Sequence, residues 1–121
     1  MRYIDGFVIP IPKRKVAAYR RIAQKAGKIW MDHGALAYVE AVGDDFTPAG
    51  IVATFPKLAR AKPGETVIFS YIVYKSRAHR DRVNARVMKD PRMNRMAESG
   101  EPMPFDMKRM SYGGFTAIVD R

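Results

Sequence analysis

The chain has 121 residues, 47% of them hydrophobic and 28% charged, which suits a single core and excludes wholesale disorder. It contains no cysteine, so disulfides, thiolate nucleophiles and thiolate metal sites are excluded, and a reducing compartment fits. Lysine and arginine number 22 against 12 acidic residues, a formal charge of +10 that favours anionic partners.

The chain runs one program twice, strand, helix, strand, and reads as one α+β domain over residues 1–121 with the order βαββαβ. The first strand is expected from Tyr3 to Ile11, with Tyr3, Asp5, Phe7 and Ile9 on one side and Ile4, Gly6, Val8 and Pro10 on the other. Pro10 and Pro12 cannot donate to a ladder and are expected to close it. A helix follows from Val16 to Trp30, where Val16, Tyr19, Ala23, Ala26 and Trp30 form an apolar stripe opposite Arg14, Arg21, Lys25 and Lys28. Trp30 is expected to pack on the sheet. Gly34, after His33, stands where a left-handed helix cap belongs, and the second strand runs from Leu36 to Val42. Between Gly43 and Gly64 the chain lacks periodicity, with a short strand or one helical turn as the only structure expected there. Ile51, Val52, Phe55 and Leu58 argue that part of this excursion packs down.

The third strand, Val67 to Tyr74, carries apolar residues on both faces. Ser76 is placed to cap a helix over Ala78 to Met88, with Val83 and Val87 toward the sheet and His79 one turn earlier on the same side. Asp90 and Pro91 open a short helix carrying Met93 and Met96. The last strand is expected from Met110 to Val119, where Gly113 and Gly114 indicate a bulge or a close approach to another backbone. Two long helices cover only one face of a four-stranded sheet. A homodimer stacking two sheets face to face would cover the other.

The basic residues concentrate on the two long helices: Lys13, Arg14, Lys15, Arg20, Arg21, Lys25 and Lys28 on the first, and Lys75, Arg77, Arg80, Arg82, Arg86 and Lys89 around the second. These are either solvated faces that keep the protein soluble or a field that attracts RNA and other polyanions. The N-terminal residues lack a charged segment followed by a long apolar run, and no stretch is apolar for the ~20 residues a bilayer span needs. A cytoplasmic protein without a membrane partner is expected.

Four runs carry a family resemblance: Asp5 to Lys13 (DGFVIPIPK), His33 to Glu40 (HGALAYVE), Phe69 to Met88 (FSYIVYKSRAHRDRVNARVM) and Met103 to Phe115 (MPFDMKRMSYGGF). Together they resemble the YbaA-like family of bacterial proteins of unknown function over nearly the whole chain. The resemblance implies a ferredoxin-like βαββαβ domain with an antiparallel sheet, pairing into a homodimeric α+β barrel. It implies no catalytic set and no cofactor.

Chemistry must therefore be sought directly. His33 and His79 lack the i, i+4 spacing and flanking acids of a metal site, so no metal is expected. His79 could serve as a general base oriented by Asp81 or Glu40, or stand as an ordinary helix-face histidine. No Gly-x-Ser-x-Gly elbow surrounds Ser70, Ser76, Ser99 or Ser111, and the Gly113, Gly114 pair is no phosphate loop. Tyr3, Phe7, Phe69, Tyr71, Tyr74, Tyr112 and Phe115 either fill the core or line a cavity between sheets.

Two readings follow. In the first, Glu40, Tyr71, His79 and Tyr112 converge on a pocket of the dimer that binds a small apolar ligand or catalyses a cofactor-free reaction. In the second, nucleic acid binds weakly to the basic helix faces through its phosphates. An RNA-recognition sheet is disfavoured, because the third strand has neither the basic residue nor the glycine of that signature.

Overall fold

The computed structural model describes residues 1–47 and 53–121. Strand β1 (Tyr3–Pro12) leads through a 3₁₀ turn into helix α1 (Val16–Asp32), then β2 (Ala37–Val42), the single turn α2 (Phe55–Leu58) and β3 (Glu65–Tyr74). Helices α3 (Arg77–Met88) and α4 (Pro91–Glu98) follow, and β4 (Ser111–Thr116) closes the sheet. The four strands form one antiparallel sheet in the order β2-β3-β1-β4.

Pro12 is the last residue of β1, as expected, whereas Pro10 lies within the strand, for a reason found in β4. That strand pairs with β1 only as far as Val8 opposite Ser111. Arg2 accepts from Ala117 on the β4 side and Lys13 donates to Gly64 on the β3 side, so even-numbered backbone groups point toward β4. Beyond Val8 no strand pairs with that edge among the described residues, so the N–H groups the prolines lack have no ladder partner there to lose. The last strand is shorter than expected and holds no bulge: Gly6 faces Gly113 and Asp5 faces Gly114 in unbroken register. The glycines admit side chains instead. A methyl on Gly114 would strike the Tyr3 ring, and the Phe115 ring lies 3.4 Å from where Gly6 and Gly113 would carry one.

Helix α1 ends as expected. Gly34 has φ +108°, its N–H donates to Met31 and that of Ala35 to Trp30, a Schellman closure. The buried side of α1 is broader than the expected stripe, since Ile29 and Gly27 are buried beside Tyr19 and Ala23. Trp30 packs against Tyr38 and donates its indole N–H to Asn84 on α3, so it bridges helix to helix as well as helix to sheet. The Ser76 hydroxyl caps α3 at His79, and the Asp90 carboxylate caps α4 at Arg92. Val83 and Val87 are fully buried, and Met93 and Met96 pack on the same cluster.

One sheet face carries Asp5, Phe7, Ile9 and Ile11 from β1 with Ile68, Ser70, Ile72 and Tyr74 from β3, and α1 and α3 pack upon it. The other face carries Ile4, Val8, Val39, Phe69, Tyr71, Val73 and Phe115. Of the expected packing there, Phe55 of α2 meets Phe69 edge-on at 5.8 Å, whereas Leu58 remains exposed. Pro48, Gly50, Ile51 and Val52 lie outside the described residues. Among the described residues no helix is long and apolar enough to cross a membrane.

Gly27 lets α1 approach β2. A Cβ there would stand 2.8 Å from Tyr38 Cδ1, against the rigid base of the ring. Gly27→Ala is therefore expected to lose about 1 kcal/mol net, because overpacking of about 2 kcal/mol exceeds the roughly 1 kcal/mol gained in helix propensity. A urea midpoint above that of the parent would contradict this.

Candidate functional site: a cleft beneath the first helix

Between α1, the sheet and the segment leading into β4 lies an open cleft of about 1010 Å³, and a second crevice of about 610 Å³ opens on the β2 side of the same helix. Phe7, Trp30, Met93, Met96, Met103 and Phe105 supply much of the apolar lining of the larger one. Glu40, Tyr19 and Tyr38 line both.

These three form the polar centre. Tyr38 and Glu40 stand two apart on β2 and so share its helix-facing side, while Tyr19 descends from α1. The Tyr19 hydroxyl donates to Glu40 Oε1 at 2.7 Å and that of Tyr38 to Oε2 at 2.8 Å. Burial, and then the neighbouring Glu40, push both phenols far above the usual tyrosine value. They stay protonated and act as donors. Each carboxylate oxygen accepts one bond and retains capacity for another, so the cleft offers acceptor sites within an apolar wall. Ser70, buried and opposite Glu40 in the ladder, completes the polar patch.

The four residues expected to converge do not share one pocket of the chain. Glu40 lies in the cleft, whereas Tyr71 projects from the opposite sheet face beside Phe69. Tyr112 is on the helix-facing side of the edge strand β4, 53% exposed, with its hydroxyl 2.9 Å from Asp5 and 2.8 Å from Arg80 Nη1. His79 is buried in the first turn of α3, where Nδ1 accepts from the Lys75 N–H at 3.0 Å. Neither expected orienting group meets it: Asp81 is bonded to Arg80, and Glu40 to the two tyrosines. Burial, with Lys75, Arg82 and Arg86 adding to it, lowers the His79 value and keeps it neutral, and its one free lone pair is already engaged.

The aromatic residues expected to line a space between sheets are divided by strand parity. Tyr3, Phe7, Tyr74 and Tyr112 face the helices, and Phe69, Tyr71 and Phe115 face away from them. Sequence reasoning missed Tyr19 and Tyr38 as polar residues. It also missed the buried Asp5–Arg80 pair, 2.7 Å long, although Asp5 interrupting an apolar stripe was a signal that a cation must meet it.

Carboxylate pairs brace the same layer. Arg109 holds Glu65 down to about 2 from the ordinary 4.5, and Arg92, with His33, holds Asp90 well below the usual carboxylate range. Each such group, like His79, binds protons more weakly folded than unfolded. Its contribution is complete above the unfolded value and is lost as pH falls. The urea midpoint is therefore expected to decline first below pH 6.5 with His79, and again from 4.5 toward 2 with Glu65. Replacing His79 with Gln should remove the first decline. A midpoint that rises on acidification would contradict both assignments.

Comparison with known proteins agrees with the resemblance read from the sequence. Residues 2–107 match the family described as Protein of unknown function (DUF1428). The uncharacterized protein YbaA of Escherichia coli K12 is 47% identical over 120 residues, covering 99% of each chain, and the Shigella flexneri protein of the same name matches equally. The de novo designed protein Foldit4 aligns over 97% of this chain and 99% of its own at 10% identity, with a TM-score of 0.46, too slight a likeness to carry an argument. The chain thus belongs to the DUF1428 family of proteins of unknown function.

Proposed function

We propose that the protein binds a small, largely apolar molecule in the cleft beneath α1, and that it does so as a homodimer of ferredoxin-like subunits. The observation that carries the binding reading is the Glu40 carboxylate, held by two phenols in an apolar cleft of about 1010 Å³. Small-molecule sites combine such an apolar wall with a few convergent polar groups. Cofactor-free proton transfer suits the same residues: Glu40 is a half-buried carboxylate lining the cleft, and the phenols remain donors. This site belongs to one protomer, on the helix side of the sheet, rather than to a space between two sheets.

The strand order β2-β3-β1-β4 supports the ferredoxin-like reading. The homodimer rests on the open face, where Phe69 and Phe115 are 44% and 59% exposed among other apolar side chains. Two such faces stacked about a two-fold axis would bury each other and form the α+β barrel.

Polyanion binding is the second reading. Of the expected basic field, Arg80 and Lys28 are bonded to carboxylates, while residues such as Arg14, Arg21 and Lys25 stand exposed without a convergent site of their own among the described residues. Native mass spectrometry of protein taken from its own cells tests the binding reading. The expected result is a discrete small-molecule adduct. Heterogeneous mass removed by nuclease would move the assignment to the helix faces and RNA.

A further inference from the structure

The polarity of the cleft changes from floor to rim. On the floor, Glu40 presents spare acceptor capacity beside Tyr19 and Tyr38. Around it Phe7, Trp30, Met93, Met96 and Phe105 offer apolar and aromatic surface. At the rim the sign reverses: Lys25, Lys28, Arg92 and Arg95 line it, against Glu101 alone. Lys28 pairs with Asp32, and Arg92 with Asp90 and Asp32. Lys25 and Arg95 are exposed, with no ion pair among the described residues.

A purely apolar molecule would leave the Glu40 acceptors unmet, and a cationic one would have to pass four positive side chains. The complementary molecule has a hydrogen-bond donor at one end, a flat apolar body, and an anionic group at the other. We propose that the cleft selects a hydroxyaryl acid or a molecule of that class, its hydroxyl donating to Glu40 and its carboxylate or equivalent anion lying at Lys25 and Arg95. This rests on the binding reading above and names the class of ligand for it.

Three naphthalene probes separate the two ends: 6-hydroxy-2-naphthoate has both groups, 2-naphthoate lacks the donor, and 2-naphthol lacks the anion. Titration of the intact protein, followed by probe fluorescence and calorimetry, is expected to give the tightest binding for the hydroxy acid. Loss of the donor should weaken binding about tenfold, as expected for a hydrogen bond to a charged acceptor. Loss of the anion should weaken it about fivefold, since the cations stand at an exposed rim. The Lys25→Glu, Arg95→Glu double variant changes exposed positions only. It should weaken both naphthoates about tenfold or more and leave 2-naphthol unchanged. Glu40→Gln should abolish the advantage of the hydroxy acid over 2-naphthoate. Equal affinities for the three probes, or no effect of the rim variant, would overturn the ligand class while leaving a binding cleft. Failure of all three to bind would overturn the cleft reading itself.

Discussion

Arg80→Met is expected to destabilise the protein by about 3 kcal/mol, a loss visible as a large drop in the urea midpoint. Asp5 is 2% exposed on the central strand β1, and its Oδ1 accepts from Arg80 Nη1 at 2.7 Å and from Tyr112 at 2.9 Å. The Arg80 side chain is itself only 13% exposed, and its guanidinium carbon lies 4.9 Å from the centre of the Tyr3 ring. Methionine keeps much of the volume but removes the charge, which strands a buried carboxylate with one phenol for company. Most of the cost is this uncompensated charge rather than the worth of the pair. The Asp5→Leu, Arg80→Met double variant should therefore recover most of the loss. A double variant whose loss equals the sum of the two single losses to within about 0.5 kcal/mol would show the pair to be uncoupled. Tyr112→Phe should cost less, about 1 kcal/mol, because Arg80 remains.

The second large effect concerns assembly. If the proposed homodimer forms through the open sheet face, Phe115→Glu converts it to monomers at micromolar concentration in sedimentation velocity. The ring projects from β4 onto the open sheet face and covers Gly6 and Gly113. In a two-fold interface each substitution occurs twice, so two carboxylates would be desolvated without partners. The dimer should weaken on the order of a hundredfold or more. Arg21→Glu, on the exposed side of α1, should leave assembly unchanged. A parent protein that sediments as a monomer, or a Phe115→Glu variant that stays dimeric, would contradict the open face as the interface.

The elements were legible wherever periodicity and caps agreed. Strand β3 alternates cleanly, with both sides apolar, and it appears two residues longer than expected, from Glu65. Gly34 and Ser76 mark helix ends by the backbone chemistry those positions require. Expectations failed where one strand's limits depend on another's. Pro12 does end β1, but Pro10 reads as a terminator too until the shortness of β4 shows that its N–H side has no strand partner among the described residues. Gly113 and Gly114 read as a bulge or a close backbone approach, because sequence does not reveal that the Tyr3 ring occupies the space a Gly114 Cβ would take and that the Phe115 ring lies against Gly113.

The site was legible only in part. Glu40 was singled out, and Tyr38, two residues before it, shares its face by strand parity alone. Tyr19 sits in an apolar helical stripe, where a phenol looks like any other large side chain. Its bond to Glu40 spans 21 residues of chain and exists only because α1 crosses β2 closely at Gly27. By sequence Arg80 belongs to the basic helix face, yet it turns inward to Asp5, a choice no local pattern records. The apolar wall from Met103 to Met110 comes largely from a connector without periodicity, so nothing in its spacing assigned it to a cleft.

A crystal structure of the protein purified without denaturation from its own cells tests the binding reading most directly. The expected result is ordered density for a small molecule beneath α1, with a polar atom within hydrogen-bond reach of Glu40 and its apolar body against Trp30, Met96 and Phe105. A cleft closed by the Met103–Met110 segment, with Glu40 bonded to Tyr19 and Tyr38 and no space beside it, would contradict the reading and leave the three residues as a structural brace.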